Sequence, residues 1–218
     1  VAAVGTDARE SGGRQQFVHS KVMAWVAFDR AAGLADTNEE GRERGHHYRQ
    51  VADEIHREVC EHGLDGNGRF FVQAYGSSEM DASLLQIALT GFLPADDPRF
   101  LRTLEQIEQR LLKNGLLMRY DSDSCSDGLT PGEGTFLVCS FWLADVYVLL
   151  GRQAEAEALY QHLTGLSNDL GLLAEQYDPA GQRMLGNFPQ AYSHIGIINT
   201  ALNLHRAQCP VRDRARCG

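Results

Sequence analysis

Apolar and polar positions follow two patterns that take turns along the chain. Four segments are apolar nearly all round: FVHSKVMAWVAFDRAAG (17–33), DASLLQIALTGFL (81–93), TFLVCSFWLADVYVLL (135–150) and QAYSHIGIINTALNL (190–204). A helix without a broad polar face has to be covered on most sides. Between them lie three amphipathic segments. PRFLRTLEQIEQRLLK (98–113) gathers Phe100, Leu101, Leu104, Ile107 and Leu111 on one stripe. AEAEALYQHLTGL (154–166) does the same with Ala156, Leu159, Tyr160 and Leu163. The charged GRERGHHYRQVADEIHREVCEHG (41–63) carries Tyr48, Val51, Ile55 and Val59. The strict order of buried and amphipathic helices predicts an all-α fold of stacked helical hairpins. An apolar inner ring wrapped by an amphipathic outer ring, a toroid, accounts for it. In a four-helix bundle every helix would be amphipathic.

The links between these helices are unequal. Those from buried to amphipathic helices are short, PADD at 94–97 and GRQ at 151–153. Those in the other direction are long and rich in Gly, Asp, Ser and Pro, at 63–80, 114–134 and 169–189. Unstructured links beyond roughly 12–15 residues are uncommon unless they carry function. In alternating hairpins all three fall on one end, at the start of the inner helices. Functional residues are expected on that rim. The chain divides into an irregular N-terminal segment (1–16), the helical body (17–205) and a basic irregular tail (206–218) with four arginines.

Composition narrows the function. A formal charge of −9 offers no basic face for nucleic acid. The most apolar run, 136–150, contains Asp145 and is shorter than the roughly 20 residues of a membrane span. Neither nucleic acid nor membrane is an expected partner. Five cysteines without a CxxC pair suit a reducing compartment, so the expected location is cytoplasmic. The eight histidines have no metal-ligand spacing. No Gly-rich nucleotide loop or nucleophile elbow is present, and no metal or cofactor is expected.

The rim supplies the candidate residues. Glu175, in GLLAEQYD (171–178), follows two leucines that should pack on the helical body. A carboxylate beside apolar surface can be tuned for proton transfer. Arg119 and Tyr120, in LLMRYDSD (116–123), combine a planar fork of donors with a flat ring and a hydroxyl, which suits sugars. Glu133 stands at capping-box spacing from Thr130, and Ser78 and Asp81 form a similar pair before the next helix.

Six stretches taken together resemble the bacterial branch of glycoside hydrolase family 15, the glucoamylases and their trehalase relatives. They are FVHSKVMAWVAFDRA (17–31), FVQAYGSSEMDASLL (71–85), MRYDSD (118–123), GEGTFLVCSFWLADVYVLLGR (132–152), LLAEQYDP (172–179) and GNFPQAYSHIGIINTALNL (186–204), in family order. The resemblance implies an (α/α)6 barrel, of which about seven of twelve helices lie in this chain. It implies inverting hydrolysis of terminal α-glucosidic bonds, with an α-glucan or disaccharide as substrate. Trehalose is the alternative substrate, and an inactive fragment the alternative to an enzyme. Glu175 matches the family's general base and Arg119 its sugar-binding arginine. Tyr120, Glu133 and Lys21 join Arg119 as substrate-binding candidates. The family's general acid lies in a Trp-Glu pair before the F-x-x-S-K segment, where this chain reads TDARESGGRQQF (6–17). Glu10 fills that role only with a shift of one residue. The missing N-terminal half of the enzyme is therefore an expected partner, and the open ring should expose apolar flanks of its inner helices.

Overall fold

A computed structural model describes residues 15–35, 39–120 and 134–205. Seven α-helices among them follow the expected order: α1 (Val18–Leu34), α2 (Glu39–His62), α3 (Gln86–Leu89), α4 (Pro98–Leu111), α5 (Leu137–Leu149), α6 (Gln153–Gly165) and α7 (Ala191–His205). A 3₁₀ turn, Ala82–Leu85, leads into α3. The helices form two layers. α1, α3, α5 and α7 touch in succession, while α2 packs on α1 and α6 packs on α5 and α7.

The amphipathic stripes face inward as their spacing requires. α2 buries Ala52, Ile55 and Val59, α4 buries Phe100, Leu104, Ile107 and Leu111, and α6 buries Ala156, Leu159 and Leu163. α5 is buried along almost its whole length, from Leu137 to Val148, with only Trp142 partly open. Such a helix has no solvent side and needs no polar face.

Two helices end earlier than the periodicity predicts. α3 is a single turn, because Gly91 takes a left-handed φ of 78°. A residue in that conformation ends the helical run. α4 stops at Leu111, where Leu112–Lys113 (β1) turns through Asn114 and Gly115, both at positive φ, to pair with Leu116–Leu117 (β2). The long links also hold an antiparallel sheet of Thr135–Phe136 (β3), Gln176–Asp178 (β4) and Arg183–Leu185 (β5).

The start of the 3₁₀ turn ahead of α3 corrects one expectation. Asp81, rather than Ser78, is the cap: its carboxylate accepts the Ser83 N–H at 2.7 Å, while Ser78 is exposed. The Ser78 backbone instead accepts from Arg110 across the rim. A carboxylate two residues upstream reaches the free amide directly, without the reciprocal box.

α4 has a comparable cap with a consequence for stability. The Asp97 carboxylate accepts the Arg99 N–H (2.8 Å) and pairs with the Arg99 guanidinium (2.8 Å). The side-chain hydrogen bond from Arg99 holds the Asp97 carboxyl below its ordinary value. A depressed folded pKa stabilises at pH values above the unfolded carboxylate pKa and is lost as pH falls through the folded one. Asp97→Ala is expected to cost about 1 kcal/mol at neutral pH. Urea denaturation at pH 7 and pH 3 checks this, with the gap from wild type narrowing at the lower pH.

The inner layer is uncovered at its ends. On α7, Tyr192, Ile195 and Ile198 recur along one face and are exposed by 52–62%, with exposed Phe188 just ahead of the helix. On α1, Met23 and Leu34 are exposed as well. No helix among the described residues is long and apolar enough to cross a membrane.

Candidate active site

The first amides of a helix have no partner inside it. In this fold the next rim link supplies one. Val18, Ala82 and Leu137 open α1, the 3₁₀ turn and α5, and they donate their N–H groups to the carbonyls of Gln73, Arg119 and Glu175 at 3.0, 2.7 and 3.1 Å. The residues just before them, Phe17, Asp81 and Phe136, pair antiparallel with Ala74, Tyr120 and Gln176. Each long link is thus stapled to the preceding inner helix at the same point. Gln73, Arg119 and Glu175 hold equivalent positions in three successive units, at one end of the inner layer. The two residues singled out by sequence, Arg119 and Glu175, share that place.

Glu175 stands on a firmly held segment just ahead of β4. Leu173 and Ala174 before it are fully buried. The Leu173 N–H donates to His194 Nε2 (3.3 Å), the Leu173 carbonyl accepts from Gln190 N–H (3.0 Å), and the Ser193 hydroxyl donates to the Ala174 carbonyl (2.7 Å). α7 therefore fixes the backbone that presents the carboxylate. Glu175 itself is half-buried, and its N–H donates to the Asn187 carbonyl at 2.9 Å. Its Oε2 accepts from both the backbone N–H (3.1 Å) and the side-chain amide (3.0 Å) of Asn187. No hydrogen bond reaches Oε1 from the described residues.

Arg119 is exposed and Tyr120 half-buried, with the guanidinium 5.4 Å from the ring centre. Behind them lies a polar cluster. Gln73 Nε2 donates to Asp81 Oδ2 (3.3 Å), and Asp81 is nearly buried. His19 lies within the field of both Asp81 and Arg119: burial chiefly, then Arg119, lowers its pKa, while Asp81 opposes them. Burial thus holds His19 toward its neutral form in the field of the candidate sugar-binding arginine.

Lys21 is placed differently. Its ammonium is buried, pairs with Glu58 of α2 at 2.7 Å and lies 5.3 Å from the Tyr75 ring. These contacts place it at the α1–α2 interface. Glu10 and Glu133 lie outside the described residues. Sequence reasoning missed Asn187 and Gln73. The signal for Asn187 is the preceding glycine: Gly186 has a φ of 74°, and a Cβ there would sit 2.8 Å from Glu175 Oε2. Among the described residues no group of three or more His, Cys, Asp or Glu is placed to hold a metal ion.

Known proteins match both the sequence and the fold. The family profile "Glycosyl hydrolases family 15" matches residues 10–202. A trehalase of Mycobacterium tuberculosis is 44% identical over 90% of this chain, and one of Thermoplasma volcanium 41% identical over 88%. The chain spans 29–30% of the length of these two curated relatives. Among solved structures, a bacterial glucoamylase complexed with acarbose superposes with a TM-score of 0.73 at 16% identity, over 93% of this chain and 35% of that one. A wild-type glycosidase gives 0.71 at 20% identity, over 99% and 56%. At these identities the structural likeness establishes the fold, a fragment of the glucoamylase-like (α/α)6 toroid.

Proposed function

Because this chain belongs to glycosyl hydrolase family 15, we propose that the protein of which it forms the C-terminal catalytic part is a trehalase working by inversion. The observation that carries trehalose over maltooligosaccharides is the 44% identity to a trehalase across 90% of the chain. Glu175 is the general base. Oε1 takes a proton from a water, whose oxygen bonds to C1 of one glucose as the glycosidic C1–O bond breaks. A carboxylic acid across the cleft gives its proton to the departing oxygen. An inverting pair leaves room for that water, about 6.5–9.5 Å between the carboxyl groups. Glu10, in the N-terminal segment, is the candidate acid within this chain.

Arg119 and Tyr120 hold the sugar, the first through its donor fork and the second through its ring and hydroxyl. Glu133 is assigned to the same substrate-binding rim. Lys21 acts on the rim indirectly, by fixing α1 against α2. The uncovered face of α7, with Tyr192, Ile195 and Ile198, is the seat of the remaining hairpins of the same enzyme. The chain's share of its relatives' length supports that reading. The five cysteines, of which Cys60 and Cys139 are free thiols, suit a cytoplasmic enzyme.

The test uses the full-length enzyme on trehalose and on maltose, with the anomers followed by NMR in the first turnovers. Inverting cleavage of an α,α-linked disaccharide releases one β-glucose and one α-glucose in equal amounts. Preference for trehalose in kcat/KM by about a hundredfold is expected. Preference for maltose would return the assignment to a glucoamylase, and two α anomers would exclude inversion.

A further inference from the structure

We infer that Asn187 is the positioning residue of the candidate general base, and that Gly186 is there to let it approach. This rests on the reading of Glu175 as base. A carboxylate that must take a proton from one water needs a fixed direction and one free oxygen. A glutamate has three side-chain torsions, so free rotation spreads its oxygens over many positions, and misplacement of a reacting group by about 1 Å can cost a hundredfold. Asn187 removes that freedom. Its backbone N–H and its side-chain amide both donate to Oε2, at 3.1 and 3.0 Å, while its carbonyl accepts the Glu175 N–H at 2.9 Å. Three hydrogen bonds between two residues fix the backbone and one carboxylate oxygen together. Oε1 receives none from the described residues and is the oxygen left to meet water.

The clamp closes only because residue 186 is glycine. A Cβ at Gly186 would lie 2.8 Å from Glu175 Oε2 and 3.0 Å from Glu175 Cβ, and its φ of 74° is strained for any L side chain. β4 and β5 pair Gln176 with Leu185 just beside it, so the strand register carries Asn187 onto Glu175. Asn187 is itself exposed. It therefore packs against little, and its side chain serves the carboxylate rather than the core. Substitution at an exposed residue of this kind usually changes stability little.

That separation gives the test. In the full-length enzyme, Asn187→Ala removes the side-chain donor and keeps the backbone N–H donor and the carbonyl acceptor. A hydrogen bond to a charged group is worth enough to predict a fall of about ten- to a hundredfold in kcat. KM should stay within about threefold and the melting temperature within a few degrees. Asn187→Asp, which replaces the donor by a like charge, should lose more than Asn187→Ala. Asn187→Ala with an unchanged kcat, or with a loss confined to KM or to melting, overturns the positioning role. Glu175→Gln is run beside them. If it retains activity, the base assignment has failed; if it is inactive while Asn187→Ala is fully active, the positioning role alone has failed.

Discussion

Glu175→Gln in the full-length enzyme is expected to reduce kcat on trehalose by about 10²–10⁴-fold, the range for loss of a positioned general base. The amide is nearly the shape of the carboxylate, and its oxygen can still accept the two Asn187 hydrogen bonds now made to Oε2. The segment carrying it also stays tied to α7 through Leu173 and Ala174. Folding and substrate binding should therefore change little, and the loss should fall on kcat. What the amide cannot do is take a proton from water. Steady-state kinetics on trehalose, with a melting curve for each protein, checks the prediction. A variant that keeps more than a tenth of wild-type kcat would remove Glu175 from the mechanism.

The inner and outer helices were legible because burial leaves its mark on every turn. α5 has no polar face to hide, and the stripe of α4 repeats its apolar residues at helical spacing. Stops were less legible. The overlong α3 follows from reading ALTGFL as helix, where the left-handed Gly91 closes the turn. The rim pairing left no trace in the sequence. Strands of two or three residues have too few positions to show a period of two, so Phe136 against Gln176 could not be read. The equivalence of Gln73, Arg119 and Glu175 rests on backbone carbonyls, which every residue type possesses. Glu175 and Arg119 were singled out through the motifs around them. Asn187 was missed because it acts across twelve residues of link, through an amide common in any loop.

The second large effect concerns the seat of α7. Gly196 lies in the middle of that helix, where glycine costs up to about 1 kcal/mol relative to alanine. Its neighbour explains it: a Cβ at Gly196 would fall 2.5 Å from Cδ2 and 2.7 Å from Cγ of Phe141, a fully buried side chain of α5. Phe141→Ala is expected to cost about 3–5 kcal/mol through lost burial and the cavity left behind. Gly196→Ala should cost about 1–3 kcal/mol despite its better helix propensity, because the methyl group pushes the two helices apart. In the double variant that methyl enters space the ring has vacated. The pair should therefore be less destabilised than the sum of the single changes, by about 1 kcal/mol or more. Urea denaturation of the four proteins measures this coupling, and strict additivity would show that Gly196 and Phe141 do not press on each other. The same contact reaches the chemistry. Ser193 and His194, a turn before Gly196, hold the backbone of Ala174 and Leu173. In Gly196→Ala the displaced α7 should carry Glu175 with it, so kcat of the folded fraction should fall, and Phe141→Ala/Gly196→Ala should recover part of that loss along with stability.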